Sequence, residues 1–427
     1  MDFFRNTTIY YTLLAVISAV VFGIIGYYSD ILPPDKPTTS SEADSNADYN
    51  KEDAEPKPLS DTEDDDANKS IVETDDAMYT YEMMVDDIGK LCGTYGDVLT
   101  KEVAGNSLDN RKIYCLYLGN KNAKHRIFTQ ASIHGREYMN TQLVMSLIEY
   151  YCHEKEKMAV NGRTYGELLD EVCICIVPMA NPDGVTISQS GAAGITDPEL
   201  KPIPFSCFET DVDYMIADVD MYGDWFWVDH YNDRTYNKEA HPGEYIKYDE
   251  YLRQWKSNAR GVDLNTNFDG NWEGVSSKSH PSYSIYKGDS ALSEPESACL
   301  ADLAQKYDYD MYISYHSKGN IVYYDTKGNK PSVSEESEKL AKLVAGHLNY
   351  LPFSNKTAEN VRQGGFGDWV QLSLNKPSIT IESGFHRCPL DIEEFKPMWD
   401  NHRQLWAVLM DSLVSESTES ENHGIEE

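Results

Sequence analysis

His134 and Glu137 lie three residues apart in the stretch Ala131-Ser132-Ile133-His134-Gly135-Arg136-Glu137. Neutral imidazole nitrogen and carboxylate oxygen both suit Zn²⁺, and a catalytic zinc takes about three protein ligands while keeping one position open. Two ligands in four residues make half of such a site. The rest of the chain must then supply a third ligand, a base and a substrate pocket. By itself His-x-x-Glu carries little, because a loop with a surface ion pair meets the same pattern. Three more pieces share its setting. Asp263 and Asn265, His316, and Glu382 each sit at or just beyond the end of an apolar, strand-like run. In α/β sheets, sites gather at the carboxyl ends of strands. Two histidines and two glutamates at such ends match a His₂Glu zinc with one carboxylate left over as a base. Zinc lowers the pKa of its water and polarises a carbonyl, and a neighbouring carboxylate takes the water's proton and passes it to the leaving amine. Asp263 is placed to orient a ligand histidine.

The elements that must position these groups alternate between helix and strand. Thr80 to Cys92 reads as an amphipathic helix (Met83, Met84, Ile88, Leu91) with Gly93 as its stop. Val98 to Val103 and Lys112 to Leu118 read as strands around a turn at Asn106 to Arg111. The strand Arg126 to Gln130 precedes the site stretch, and a helix over Thr141 to His153 follows it. Glu171 to Pro178 is an apolar run suited to a strand covered on both faces. Asn181-Pro182-Asp183-Gly184 reads as a turn. A helix is predicted from Ser293-Glu294-Pro295-Glu296 through Gln305, a strand at Met311 to Tyr315, a helix at Ser334 to Leu348 with Ser334 as N-cap, and a strand at Ser378 to Ile381. Phe395 to Val414 reads as one closing core helix. Together these predict an α/β domain with a mixed central sheet flanked by helices. Between Ser188 and Gln254 a long segment without regular pattern carries many aromatics and aspartates; Asp211, Asp213, Asp218, Asp220 and Asp224 lack EF-hand spacing and read as solvated surface.

The ends differ from the middle. Residues 1–8 precede a nearly unbroken apolar run, Ile9 to Tyr28, long enough to span a bilayer. Arg5 before it and Asp30 and Asp35 after it favour a cytoplasmic start and an exported remainder. No Ala-x-Ala site follows, so the run reads as a retained signal-anchor in the cell membrane, with an extracellular domain. Residues 29–77 are acidic and poor in apolar groups, the composition of a disordered tether, and 416–427 read as a disordered acidic tail. The catalytic domain is expected over 78–415, with its insertion at about 188–254. A net charge of −34 over 427 residues excludes a basic nucleic-acid footprint. Of eight cysteines, Cys173 and Cys175 read as core thiols, while Cys92 with Cys115 and Cys207 with Cys388 are candidate disulfides.

The local sequences make a more specific pattern. Ile133-His134-Gly135-Arg136-Glu137, Asn181-Pro182-Asp183-Gly184, Gly261-Val262-Asp263-Leu264-Asn265, Tyr315-His316-Ser317, Gly364-Gly365-Phe366-Gly367-Asp368-Trp369 and Thr380-Ile381-Glu382 occur in the order found in zinc carboxypeptidases, relatives of carboxypeptidases A and B. Over about Met78 to Ser415 the chain resembles that family. The resemblance implies a mixed sheet flanked by helices, one zinc per chain and hydrolysis of a peptide amide. It implies zinc ligation by His134, Glu137 and His316, general base and acid catalysis by Glu382, and a hydrogen bond from His134 to Asp263. Arg136 would line the substrate cleft, and Lys256 or Arg260 would face the oxyanion.

Departures from the family bear on the substrate. Its carboxypeptidases hold a terminal carboxylate with an Asn-Arg pair, whereas here Asn265 is followed by Thr266. The family's mobile tyrosine would fall near Asn360, and no Tyr lies between Ala358 and Gly364. Gly367 stands where a side chain normally tunes the end-residue pocket. The wording Trp255 to Asn265 and Cys388-Pro389-Leu390-Asp391-Ile392 is similar to a bacterial branch that cleaves γ-D-glutamyl–diamino-acid bonds in peptidoglycan stem peptides. The expectation is therefore a membrane-anchored zinc metallopeptidase acting on cell-wall peptides. An extracellular carboxypeptidase and an inactive peptide-binding scaffold are the alternatives.

Overall fold

Strand-forming apolar runs dominate the middle of the chain, and their pairing sets the architecture. The computed structural model describes residues 70–219, 225–231, 245–357 and 363–423. The strands in chain order are β1 (Leu99–Asn106), β2 (Lys112–Leu118), β3 (His125–Ala131), β4 (Met158–Val160), β5 (Arg163–Thr164), β6 (Val172–Val177), β7 (Met215–Val219), β8 (Trp225–Asp229), β9 (Met311–His316), β10 (Ile321–Tyr324), β11 (Leu351–Ser354) and β12 (Ser378–Glu382). Eight of them form one sheet in the order β1-β2-β6-β3-β9-β12-β10-β11. Its centre, β6-β3-β9-β12, is parallel, and β2 and β10 pair antiparallel on either side, so the sheet is mixed as expected.

Alternation along the central strands explains why they read as continuous apolar runs. On β6, Val172, Ile174 and Ile176 enter one core, whereas Cys173, Cys175 and Val177 enter the other. The first core is covered by helices Tyr81–Thr94, Met139–His153, Pro331–Leu348 and Leu405–His423. The second is covered by Pro295–Gln305 and Phe366–Trp369. A sheet buried on both faces has no polar side to show.

Several expectations need correction. Residues ahead of the expected start at 78 pack on the domain: Glu149 accepts the backbone N–H groups of Ile71 and Val72 at 2.7 and 2.9 Å, and Val72 is buried. Asn181 is an N-cap rather than part of a plain turn: its side chain accepts from Gly184 N, and Pro182 opens the helix Pro182–Ser190. Proline likewise starts the helix Pro331–Leu348, with Lys330 at the cap, and the Ser334 hydroxyl instead donates to Asp325. The closing helix is two, Phe395–His402 and Leu405–His423. Ala407 N donates to the Tyr151 hydroxyl at 2.7 Å, which takes that N–H out of the helical ladder. Beyond Ser415 the chain stays helical to His423 rather than disordered, since extending a formed helix needs no new nucleus and Glu416 pairs with Lys339.

The aromatic segment folds as a helix Ile203–Asp211, the β7–β8 hairpin and a helix Tyr248–Arg253 around a third apolar cluster with Trp255 at 0% exposure. Asp211 is not solvated surface. It is buried against Lys278 (3.0 Å), with Ser282 and Tyr251 donating to it. No two cysteines are bonded. Cys92 packs on the first core and Cys115 in the second, across the sheet from each other. Cys207 lies in the third cluster, while the Cys388 thiol donates to the Arg136 carbonyl. Cys173 and Cys175 are buried core thiols as expected. Among the described residues no helix is long and apolar enough to cross a membrane; the predicted span at Ile9 to Tyr28 lies outside them.

A buried carboxyl ties the helix Pro295–Gln305 to the site loop. Glu296 accepts from Leu108 N at 3.1 Å and from Asn258 Nδ2 at 3.3 Å. Burial, reinforced by the charge of Asp183, pushes its carboxyl up to about 8. A carboxyl whose folded pKa is raised stabilises fully below its unfolded pKa and loses that contribution as pH rises through the folded value. Thermal melts of the wild type and Glu296→Gln should therefore diverge as pH is raised toward about 8, with the wild type falling by a few degrees relative to the variant. Parallel curves would show that Glu296 stays charged.

Candidate active site

Parallel register does most of the assembly. Ala131 at the end of β3 lies opposite Tyr315 on β9, and His316 lies opposite Glu382 on β12. Three strand ends thus deliver the His134 loop, His316 and Glu382 to one edge. Immediately after β3 the chain turns sharply. Ser132 takes a left-handed φ of 53°, and its hydroxyl donates to the Glu137 carbonyl at 3.1 Å. Asn181 clamps this loop from the neighbouring helix start, its Nδ2 donating to the carbonyls of Ile133, Lys256 and Ser257 at 3.0, 3.1 and 3.1 Å. Gly135 is required there: a Cβ would sit 2.3 Å from the Gly184 carbonyl oxygen. The two motifs are therefore packed backbone to backbone.

Glu137 is 2% exposed and lies between the two imidazoles. Its Oε1 is 2.8 Å from His134 Nδ1, and its Oε2 is 2.9 Å from His316 Nδ1. Ser317 N donates to the same Oε2 at 3.2 Å, and Lys256 Nζ stands 3.6 Å from Oε1. Burial opposes the charged form of Glu137, but the two imidazoles and Lys256 outweigh it and hold the carboxyl well below its usual range. His134 Nε2 faces Asp263 Oδ1 at 3.2 Å, which leaves Nδ1 as the inward atom. Asp263 itself is fixed by Ile285 N at 2.9 Å and Asn265 N at 3.1 Å. One donor atom from each of His134, Glu137 and His316 lies within 4.8 Å of the others, and all three residues are buried. Two imidazole nitrogens and a carboxylate at this spacing fit the donor set of a catalytic zinc. Glu382 opens on the same cleft, where burial and then the charge of Glu137 raise its carboxyl above the usual range.

The cleft, about 380 Å³, is lined by His134, Arg136, Lys256, Asp263, Asn265, Thr266, Gly367 and Glu382 among others. Arg136 Nη1 donates to Gln254 Oε1 at 2.8 Å. Asn265 Oδ1 accepts from Phe366 N at 3.1 Å. Thr266 is buried, its hydroxyl turned to the Asp263 carbonyl at 2.8 Å. Arg260 is not brought to the cleft: its guanidinium is held by Glu294 at 2.9 Å. Of the two cations considered for the oxyanion, only Lys256 is in place. Asn360 lies outside the described residues.

A zinc carboxypeptidase family model matches residues 83–405. The chain belongs to the zinc carboxypeptidase family. It is 25% identical over 324 residues to gamma-D-glutamyl-L-diamino acid endopeptidase 1 of Lysinibacillus sphaericus, covering 75% of this chain and 69% of that one. It is 20% identical over 259 residues to human mast cell carboxypeptidase A, covering 60% of this chain and 49% of that one. Its fold resembles the crystal structure of thrombin activatable fibrinolysis inhibitor with a TM-score of 0.59 at 18% identity, over 82% of this chain and 78% of that one. The chain is thus a zinc metallopeptidase of this family, and it carries a buried His-Glu-His set whose atoms could hold a metal ion.

Sequence reading missed the clamp made by Asn181 and the cleft-lining Tyr283, Ser284 and Ile285. Asn181 sat in a recognised motif, and its cap position was the available signal. Tyr283 to Ile285 follow no periodic pattern. They arrive through long-range contacts: Lys256 N and Ser257 N donate to the Tyr283 carbonyl, and Asp263 accepts from Ile285 N.

Elemental analysis of purified protein should find one zinc per chain, and His316→Ala should lose most of it. Asp263→Ala should weaken zinc about 10–100-fold in a chelator competition while the fold's melting stays cooperative. Unchanged zinc affinity in Asp263→Ala would refute its orienting role.

Proposed function

We propose that this peptidase hydrolyses a γ-D-glutamyl–diamino-acid bond in cell-wall stem peptides, outside the membrane. The observation that carries the reading is the altered carboxylate-binding position. Thr266 turns its hydroxyl to the backbone, and Arg260 is occupied by Glu294. Among the described cleft residues, the cations are Arg136 and Lys256. A free terminal carboxylate finds no bidentate partner at Thr266, which disfavours digestive-type removal of C-terminal residues. The bond named for the Lysinibacillus sphaericus relative supports the choice of substrate. The run Ile9 to Tyr28 supports a single-pass anchor with the domain facing the wall.

His134, Glu137 and His316 would hold the zinc, which when bound would supply Lewis-acid polarisation of the scissile carbonyl and a more acidic water. Glu382 takes a proton from the attacking water and returns it to the departing amine. Its raised pKa makes it a stronger base than an exposed glutamate. Lys256 faces the charge that develops on the carbonyl oxygen. Asp263 keeps the His134 ring turned so that Nδ1 points inward. Arg136 and Asn265 position the peptide.

The test uses full-length protein on a γ-D-glutamyl-diaminopimelate peptide and on an ordinary peptide with a free C-terminus. Cleavage of the first is expected, with Glu382→Gln reducing kcat by about 10²–10⁴-fold. Release of a C-terminal amino acid from the second alone would replace this reading with the carboxypeptidase one. For the anchor, N-terminal sequencing of the mature protein should start before Ile9; a start after Tyr28 refutes retention.

A further inference from the structure

Lys278 lies away from the metal site with its side chain fully buried. Its Nζ is 3.0 Å from Asp211 Oδ1, 2.9 Å from Asp229 Oδ2 and 2.9 Å from Ser282 Oγ. The rings of Tyr231 and Tyr283 stand 5.1 and 5.0 Å from the same ammonium. Asp211, Asp229 and Tyr231 belong to the insertion at about 188–254, whereas Lys278, Ser282 and Tyr283 belong to the segment that runs into the cleft wall. A lysine buried between two carboxylates joins the two parts, because separating them leaves charge uncompensated away from water.

Tyr283 carries this joint to the cleft, which it lines while staying 7% exposed. Its hydroxyl donates to Asp229 Oδ2 at 3.2 Å, and its N donates to the Tyr251 hydroxyl at 3.2 Å. Both partners lie in the insertion, Asp229 on β8 and Tyr251 on the helix Tyr248–Arg253. The Tyr283 carbonyl in turn accepts from Lys256 N at 2.8 Å and from Ser257 N at 3.0 Å. The insertion therefore grips Tyr283 at two points, and Tyr283 grips the backbone of Lys256. From that backbone Lys256 Nζ reaches to 3.6 Å from Glu137 Oε1.

We infer that the insertion is a positioning device for the reaction: the Lys278–Asp229 pair fixes Tyr283, and Tyr283 fixes the backbone that carries Lys256. Asp229 and Tyr283 are thus positioning residues that act through Lys256. The inference rests on Lys256 facing the charge that develops on the carbonyl oxygen, and it holds for either peptide bond considered above. A charge-stabilising group works by being in place before the charge forms. Loosening it removes an interaction made in the transition state, which lowers kcat more than it changes KM.

The experiment uses full-length protein on whichever of the two peptides above is cleaved, at a temperature where each variant is folded and carries its metal. Tyr283→Phe removes one hydroxyl and keeps the ring. Asp229→Asn acts from the insertion side, at a residue outside the described cleft lining. Each should lower kcat by roughly tenfold with zinc content unchanged, since small misplacements of a positioned group are costly. KM should stay within about twofold of wild type. In a Lys256→Gln background Tyr283→Phe should cost nothing further, because residues that act as a unit are not additive. Wild-type kcat in Tyr283→Phe overturns the proposal, even if its melting temperature falls, because the joint is then structural alone. The same loss repeated in the Lys256→Gln background also overturns it and leaves the role of Lys256 standing. Unchanged kcat in Lys256→Gln itself overturns that role and the proposal with it. Should Asp229→Asn fail to fold, Tyr283→Phe and the Lys256→Gln background decide the matter.

Discussion

An ionised carboxylate removed from water has to be compensated on all sides, and Glu137 is such a group. Its two oxygens are divided between two imidazoles, a backbone N–H and a lysine. Losing any of them leaves charge uncompensated in a buried place. None of these partners is near Glu137 in sequence except His134. The arrangement of the domain follows from bringing them there and keeping them still.

Parallel pairing of β3, β9 and β12 supplies the coarse placement, because each strand ends in the same layer. Finer placement comes from polar contacts that cross between segments. Asn181 gathers the carbonyls of Ile133, Lys256 and Ser257, so one side chain sets both the His134 loop and the segment carrying Lys256. Asp263 receives Ile285 N and His134 together, joining the ring orientation to the opposite cleft wall. A third link runs through Ser383, whose N donates to the His316 carbonyl and whose hydroxyl meets His402 at 2.9 Å. The strands carrying Glu382 and His316 are thereby tied just beyond their last sheet pair. Such supports hold first-contact groups within the tolerance that catalysis requires.

The strands were the most legible elements. Runs such as Val172 to Val177 are apolar on both faces, and only a two-sided core accepts them. Helix boundaries were legible where chemistry marks them, as at Pro295, which opens the helix Pro295–Gln305. They failed where a competing contact decided the outcome. Tyr151 takes an N–H from the closing helices and divides them, and Asp325 claims the hydroxyl of Ser334. The insertion was opaque because its order comes from a small core around Trp255 and from the buried Lys278–Asp211 pair, neither of which has a period. Acidic composition suggested solvent there, yet at Asp211 one lysine far along the chain reversed it.

Sequence alone determined the identities that chemistry requires: two histidines and two glutamates at strand ends, the zinc carboxypeptidase motifs in order, and the loss of arginine after Asn265. Ligand type and motif order are local properties, and local properties can be read one segment at a time. Tertiary structure alone decided which cation faces the metal site. Lys256 and Arg260 lie four residues apart with the same sign of charge, and only the position of Glu294 on a distant helix start removes Arg260. It also decided what surrounds Gly367, since Ser378 and Thr380 come from a strand that sequence does not place beside it. Pairing across the fold is a property of where chains meet, and that is settled by packing rather than by any one stretch.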